Sequence, residues 1–255
     1  MKKAIKLVPD AELYASGIVK YIEWEYEKHP HMVIFGATGS GKTYLLKLIL
    51  ARIGKYIPDS ELVVCDFKSD EDFTFLSEAV NFYRFEKCMD GLEKAVLLLQ
   101  NRQQGRSVDK HFFCLVFDEW ASFINNLDKK SAERAKQNLA VLLMLGRSFN
   151  IHVIVSQQRL DASYFNSARD NFSLVFGMGT LSKESVEMMF SEYKDVIERS
   201  KPQGQGSLML GNQFKSVIVP TIRDSSKLQA SIRLAVYRPQ DESHKAGVAE
   251  PEVLP

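Results

Sequence analysis

The stretch Met32-Val33-Ile34-Phe35-Gly36-Ala37-Thr38-Gly39-Ser40-Gly41-Lys42-Thr43-Tyr44-Leu45-Leu46-Lys47-Leu48-Ile49-Leu50 decides the fold. It runs from an apolar strand through a glycine-rich turn into apolar residues at helical spacing. A polyphosphate needs several backbone N–H donors converging on it, and only a turn with few Cβ atoms lets the chain wrap that closely. Gly36, Gly39 and Gly41 supply the turn. In this pattern Lys42 is placed to reach the β and γ phosphates and the Thr43 hydroxyl to ligate Mg²⁺. The start of the following helix adds its positive dipole end. The expected nucleotide contacts are Gly36, Ala37, Thr38, Gly39, Ser40, Gly41, Lys42, Thr43 and Tyr44, and the expected cofactors are ATP and Mg²⁺.

Outward from this loop the chain alternates strand and helix. A helix is expected over 42–54, a buried strand at 61–67, a helix from Asp90 to Gln103, and a buried strand at Phe112–Phe117. A helix over 131–147, a strand at 151–155, a strand at 174–178 and a helix near 183–190 follow. Two further strands, 206–210 and 214–219, flank Gly211-Asn212 and read as a hairpin at the sheet edge. Ahead of the loop, residues 12–28 read as a helix burying Leu13, Ile18, Tyr21, Ile22 and Trp24. Residues 1–28 are thus an N-terminal strand/helix segment packed on a main domain at 29–238. Residues 239–255, poor in large apolar groups, read as a disordered tail.

The apolar run Phe112–Phe117 ends in Asp118-Glu119. A carboxylate there can hold Mg²⁺, the role given to Asp118, while Glu119 can orient and polarise an attacking water. That pair implies hydrolysis as well as binding. After the strand at 151–155 comes Ser156-Gln157-Gln158-Arg159, where Gln158 is the candidate sensor of the γ-phosphate. Arg147 stands where a helix ends: it either caps the helix C-terminus or projects into a neighbouring subunit as an arginine finger.

With 255 residues, 45% hydrophobic and 25% charged, the chain can bury one sizeable core. No apolar run reaches membrane-span length and Met1–Asp10 lacks the apolar centre of a signal peptide, so a cytoplasmic protein is expected. Cys65, Cys88 and Cys114 lack metal-ligand spacing and read as reduced core thiols. A net charge of +1 gives no broad positive field, so nucleic acid would have to be met by local basic groups. Lys129, Lys130, Arg102 and Arg106 are the basic candidates, each of which reads first as a solvated surface charge.

The order of these motifs resembles the FtsK/SpoIIIE/HerA group of DNA-pumping ATPases. The resemblance runs through His29-Pro30-His31 and the loop at 36–43, Val63-Val64-Cys65-Asp66-Phe67-Lys68, and Leu115-Val116-Phe117-Asp118-Glu119-Trp120-Ala121. It continues through Gly146-Arg147-Ser148-Phe149-Asn150-Ile151-His152-Val153-Ile154-Val155-Ser156-Gln157-Gln158-Arg159 to Gly204-Gln205-Gly206-Ser207-Leu208-Met209-Leu210. It implies a RecA-like P-loop NTPase with a mainly parallel sheet flanked by helices, in which the sensor strand lies between the P-loop strand and the acidic strand. It also implies Gln158 at the γ-phosphate, Arg147 or Arg159 as a trans finger, and a hexameric ring acting on double-stranded DNA without sequence preference, with a protein partner for recruitment. Leu160 stands where the family often has proline, and Gln157 where threonine is common. The resemblance is to the bare motor domain, and neither the family's membrane spans nor its winged helix is expected in a chain of this length. Type VII secretion ATPases use similar motors on polypeptides, which leaves protein export as the alternative, beside a partner-gated regulatory ATPase.

Overall fold

The computed structural model describes residues 3–107 and 109–237; the expected tail at 239–255 lies outside them. Two short strands, β1 (Ile5–Pro9) and β2 (Tyr21–Trp24), pair antiparallel at the start of the chain, with a short helix α1 (Ala11–Ala15) between them. This corrects the helix expected over 12–28. Asp10 starts α1 by accepting the N–H groups of Glu12 and Leu13, but Gly17, at φ +80, turns the chain out after little more than one turn. The β-branched Ile18 and Val19 then stand in solvent, and only Trp24 of the five expected core residues is fully buried.

The remaining strands form one sheet: β3 (His31–Phe35), β4 (Glu61–Asp66), β5 (Phe82–Arg84), β6 (Phe113–Asp118), β7 (Ile151–Gln157), β8 (Leu174–Met178), β9 (Gln205–Leu210) and β10 (Gln213–Ile218). Their order is β10-β9-β8-β3-β7-β6-β4-β5. The stretch from β8 to β5 is parallel, and the β9–β10 hairpin joins β8 antiparallel at the edge. The α/β sheet with an edge hairpin is therefore present as read, and β7, the strand expected to precede the sensor, lies between β3 and β6.

Alternation along the strands divides the core in two. Val33, Phe35, Leu115, Phe117, Val153 and Val155 face one side; Met32, Ile34, Cys114, Val116 and Ile154 face the other. Of the helices α2 (Lys42–Tyr56), α3 (Cys88–Gln103), α4 (Trp120–Asn126), α5 (Lys129–Leu145), α6 (Lys183–Met189) and α7 (Ser225–Val236), α2 and α7 cover the second face and the others the first. Asp128 caps α5 through the N–H groups of Lys130 and Ser131, which starts that helix two residues ahead of the expected Ser131. The three cysteines are free and buried, as expected. Arg102 is only 3% exposed and donates to the carbonyls of Phe149 and His111, at 2.6 and 3.1 Å. It ties α3 to neighbouring loops and is withdrawn as a DNA-contact candidate.

Candidate active site

The parallel strands β3, β7, β6 and β4 all end on one crest of the sheet, and the glycine-rich loop, residues 36–41, sits on it. Ligands of open parallel sheets bind at such carboxyl ends. The loop is pressed from behind by the end of β8 and the segment before β9. A Cβ on Gly36, at φ +150, would lie 2.3 Å from the Met178 carbonyl oxygen. The Gly204 N–H donates to the Ser40 carbonyl at 3.1 Å, and a Cβ on Gly41 would meet that same N–H group's nitrogen at 3.4 Å. The late glycine stretch picked out from sequence is thus the wall of the loop.

Helix α2 begins behind Gly41, in the left-handed region at φ 99, with no side chain capping its first turn. Its leading N–H groups and dipole end are directed at the crest, the arrangement that suits an anion. Lys42 is buried and donates to the loop's own Ala37 carbonyl at 3.2 Å. Burial holds its pKa below the ordinary value, against the pull of Glu119 and Asp118. The Lys42 ammonium therefore stands at the loop, within electrostatic range of both acidic residues. Thr43 is half-buried beside it, and the Tyr44 hydroxyl accepts the backbone N–H of Ile222, which fastens the 220–222 segment to α2.

Asp118 ends β6 on the α2 side of the sheet, sharing that face with Cys114 and Val116. Burial, with Glu119 and Asp66 nearby, pushes its carboxyl up to about 7. On the same side Ser156 stands opposite Asp118, and its hydroxyl acts as a hydrogen-bond partner that partly offsets the effect of burial. A buried carboxylate with a hydroxyl beside it supplies oxygen donors of the kind Mg²⁺ takes, so these residues fit that ion. Glu119 adopts the left-handed conformation, φ 59 and ψ 47, with its N–H on the Ser156 carbonyl at 2.8 Å. A non-glycine residue held there is strained, and it turns the chain sharply into α4. Trp120 then anchors the turn, fully buried and donating through Nε1 to the Tyr164 carbonyl at 3.0 Å.

Gln158 and Arg159 line a cleft of about 480 Å³ together with Gly36, Ala37 and Thr38, closed on the far side by Thr180 and Ser182. The sensor candidate and the first half of the loop thus share one cavity. Arg147 lies elsewhere: it precedes β7, at the end of the sheet opposite the crest, and donates to the Glu27 carbonyl at 3.2 Å. It takes no part in its own chain's site. Sequence reasoning gave Gln157 no role of its own; it is fully buried at the last position of β7, with neither amide atom hydrogen-bonded among the described residues. Its place where the family commonly has threonine was the available signal. A larger groove, about 710 Å³, lies at the far end of α2 against α7, away from the crest.

Among the described residues no helix is long and apolar enough to cross a membrane. The chain is 28% identical over 225 residues to the FtsK domain-containing protein YdcQ of Bacillus subtilis, an alignment covering 80% of this chain and 46% of that protein. It thus spans less than half the length of that curated relative. The pCW3 conjugation coupling protein TcpA, solved as a monomer with ATPγS, superposes with a TM-score of 0.71 at 19% identity, over 91% of this chain and 70% of that one. The cytoplasmic domain of the type VII secretion ATPase EccC of Thermomonospora curvata gives 0.65 at 17% identity, over 93% and 32% of the two chains. Both structures share the P-loop ATPase fold. The family model for the central domain of helicase HerA matches residues 26–161, more than half of the chain and the whole strand–loop–helix–acidic strand–sensor strand series. This chain therefore belongs to the HerA central-domain family of P-loop ATPases.

Proposed function

We propose that this chain is the motor of a DNA translocase, hydrolysing ATP at the crest and working as a ring of identical subunits, six in number. The observation that carries the reading is the strand order: β7, with Gln158 and Arg159 beyond its end, lies between the P-loop strand β3 and the acidic strand β6. A residue that contacts the γ-phosphate is then mechanically continuous with the loop that follows it.

In this mechanism Lys42 leaves the Ala37 carbonyl for the β and γ phosphates, and the uncapped first turn of α2 with the N–H groups of residues 36–41 cradles the rest. Thr43 and Asp118 would hold Mg²⁺, which when bound would neutralise charge developing on the phosphates. Glu119 orients and polarises the lytic water, and Gln158 contacts the γ-phosphate. Tyr44 contributes as a support of the α2 start through its bond to Ile222. Arg147, remote from its own site, serves as the finger in the neighbouring subunit's site; Arg159, already in the cleft, is the competing candidate. Residues 1–28 brace the motor at 29–238. The likeness to a conjugation coupling protein supports DNA as the cargo, and a further protein would load the ring. The EccC likeness keeps a polypeptide cargo as the second reading.

The test is steady-state ATP hydrolysis with and without long double-stranded DNA across a salt series, with Lys42→Ala as the blank. Stimulation that fades as salt rises is the expected result, because contacts to the phosphate backbone release counterions. Glu119→Gln is expected to abolish turnover while ATP remains bound. Hydrolysis indifferent to DNA at low salt by an assembled ring overturns the DNA reading in favour of a polypeptide cargo; unchanged turnover in Glu119→Gln overturns the role of Glu119.

A further inference from the structure

Gln157 is the least satisfied side chain at the crest. It is fully buried, and both its Nε2 and Oε1 lack a hydrogen-bond partner among the described residues. Buried polar groups are paired in the great majority of cases, and one that is not calls for an explanation such as a strain reservoir or a catalytic role. Its place supplies one. Ser156 stands opposite Asp118 in the β6–β7 ladder, and the Glu119 N–H bonds the Ser156 carbonyl, so Gln157 and Glu119 are the residues that follow directly on one paired position of two adjacent strands. Neighbouring strands lie about 4.8 Å apart, within the joint reach of two such side chains.

The Glu119 residue is the complementary partner: it is 8% exposed, and its carboxylate interacts electrostatically with Lys42. A carboxylate accepts only and an amide nitrogen donates two hydrogens, so each holds what the other lacks. Glu119 meanwhile occupies a strained backbone conformation and feels Lys42 across the loop. When Lys42 turns to the phosphates, that attraction is redirected, and the carboxylate needs another group to hold it toward the water.

We propose that Gln157 is a positioning residue of the hydrolytic centre, whose amide stays unpaired in the nucleotide-free crest and donates to the Glu119 carboxylate once nucleotide is bound. The proposal rests on Glu119 as the group that polarises water. Nucleotide binding thereby relieves a buried orphan, and Gln158 and Arg159, the next residues along, are drawn with it. The switch is local: one amide, one carboxylate and the strand end between them.

The test is Gln157→Met, which keeps the volume and removes the donor. Replacing an unpaired buried amide by an apolar group is neutral or stabilising. The nucleotide-free variant should therefore melt at the wild-type temperature or up to about 6 °C above it. Its kcat should fall at least tenfold, with affinity for a non-hydrolysable ATP analogue held within threefold. Thermal melts of Gln157→Met, Glu119→Gln and the double variant complete a cycle: their effects should add without nucleotide and fail to add with the analogue bound. A nucleotide-free melting point several degrees below wild type, an unchanged kcat, or additivity in both states would overturn the proposal. Wild-type protein that binds the analogue yet does not hydrolyse ATP would instead overturn the reading of the site as hydrolytic, and the melting cycle would still decide whether Gln157 pairs with Glu119.

Discussion

The loop glycines are not equivalent, and a paired substitution separates what each one does. Gly36 and Gly39 both sit at positive φ, +150 and +79, so alanine at either forces an L-residue into disfavoured backbone. At Gly39 that is the whole cost, because an added Cβ meets no atom within 4 Å. The left-handed penalty is about 1–2 kcal/mol, offset in part by the entropy alanine removes from the unfolded chain, leaving about 1 kcal/mol. For a chain of this size that lowers the melting temperature by about 2–4 °C. At Gly36 the same penalty is joined by a collision, with the added Cβ 2.3 Å from the Met178 carbonyl oxygen and 2.9 Å from Ser40 Oγ. The serine hydroxyl can turn away. The carbonyl cannot, because Phe35 and Gly177 are locked in register between β3 and β8. Overpacking against fixed backbone adds about 1–3 kcal/mol, for a total of about 2–4 kcal/mol and a fall of about 4 °C or more. The alternative relief, lifting the loop off β8, costs the cradle its shape and appears as lost nucleotide affinity. Thermal melts of Gly36→Ala and Gly39→Ala without nucleotide, followed by titration of Gly36→Ala with an ATP analogue, make the comparison. If Gly36→Ala melts within about 2 °C of Gly39→Ala and binds the analogue like the wild type, close approach to β8 is not what Gly36 provides.

Two further predictions concern the frame around the site. His31, at the start of β3, is 1% exposed, and burial lowers its pKa to about 3 from the ordinary 6.5. The fold holds the neutral ring, so this contribution is complete above pH 6.5 and is lost as pH falls from there toward 3, at about 1.4 kcal/mol per pH unit. Between pH 7 and pH 5 urea unfolding of the wild type should lose about 2 kcal/mol more than His31→Leu; equal losses in the two proteins would show that His31 does not titrate on unfolding in this range. Gly54 lets α2 cross α7 at contact distance, since a Cβ there would lie 2.0 Å from the Ser231 carbonyl oxygen. Gly54→Ala therefore should lower the melting temperature by several degrees despite a helix-propensity gain of about 1 kcal/mol, and a rise would mean that the two helices are free to separate.

Most of the sheet was legible because buried parallel strands are written as continuous apolar runs, and the loop because only glycine tolerates its backbone. The N-terminal segment was misread for a physical reason. Tyr21, Ile22 and Trp24 satisfy a helical spacing on paper, but Gly17 breaks the helix and β1 offers an edge to pair with, so tertiary pairing wins over local periodicity. Helix α4 went unread because the turn that starts it depends on Glu119 in a left-handed conformation, which no residue pattern announces. At the candidate site, residue identity and spacing singled out Lys42, Asp118, Glu119 and Gln158 as candidates. They did not reveal that Arg147 lies at the opposite pole or that Gln157 is buried and unpaired, because both follow from strand register and direction.

The unfavourable local terms of this fold gather in one place. Glu119 is in strained backbone, Asp118 is a carboxyl held up near neutrality by burial, and Lys42 is an ammonium turned onto a loop carbonyl. Among the described residues the Ser40 hydroxyl and the amide of Gln157 lack partners. None of these helps the chain fold; the apolar layers on both faces of the sheet carry that cost, and they are built from other residues. Each term has the sign that a nucleotide polyphosphate with its cation would relieve: anions for the ammonium and the uncapped helix, a cation for the acidic group, acceptors and donors for the orphans. A strand terminus that merely happened to be polar would have no reason to accumulate costs of complementary sign within a few residues of one another. Their convergence on the crest is the strongest physical reason to place the chemistry there, and it predicts that nucleotide binding stiffens the ends of β3, β6 and β7 together.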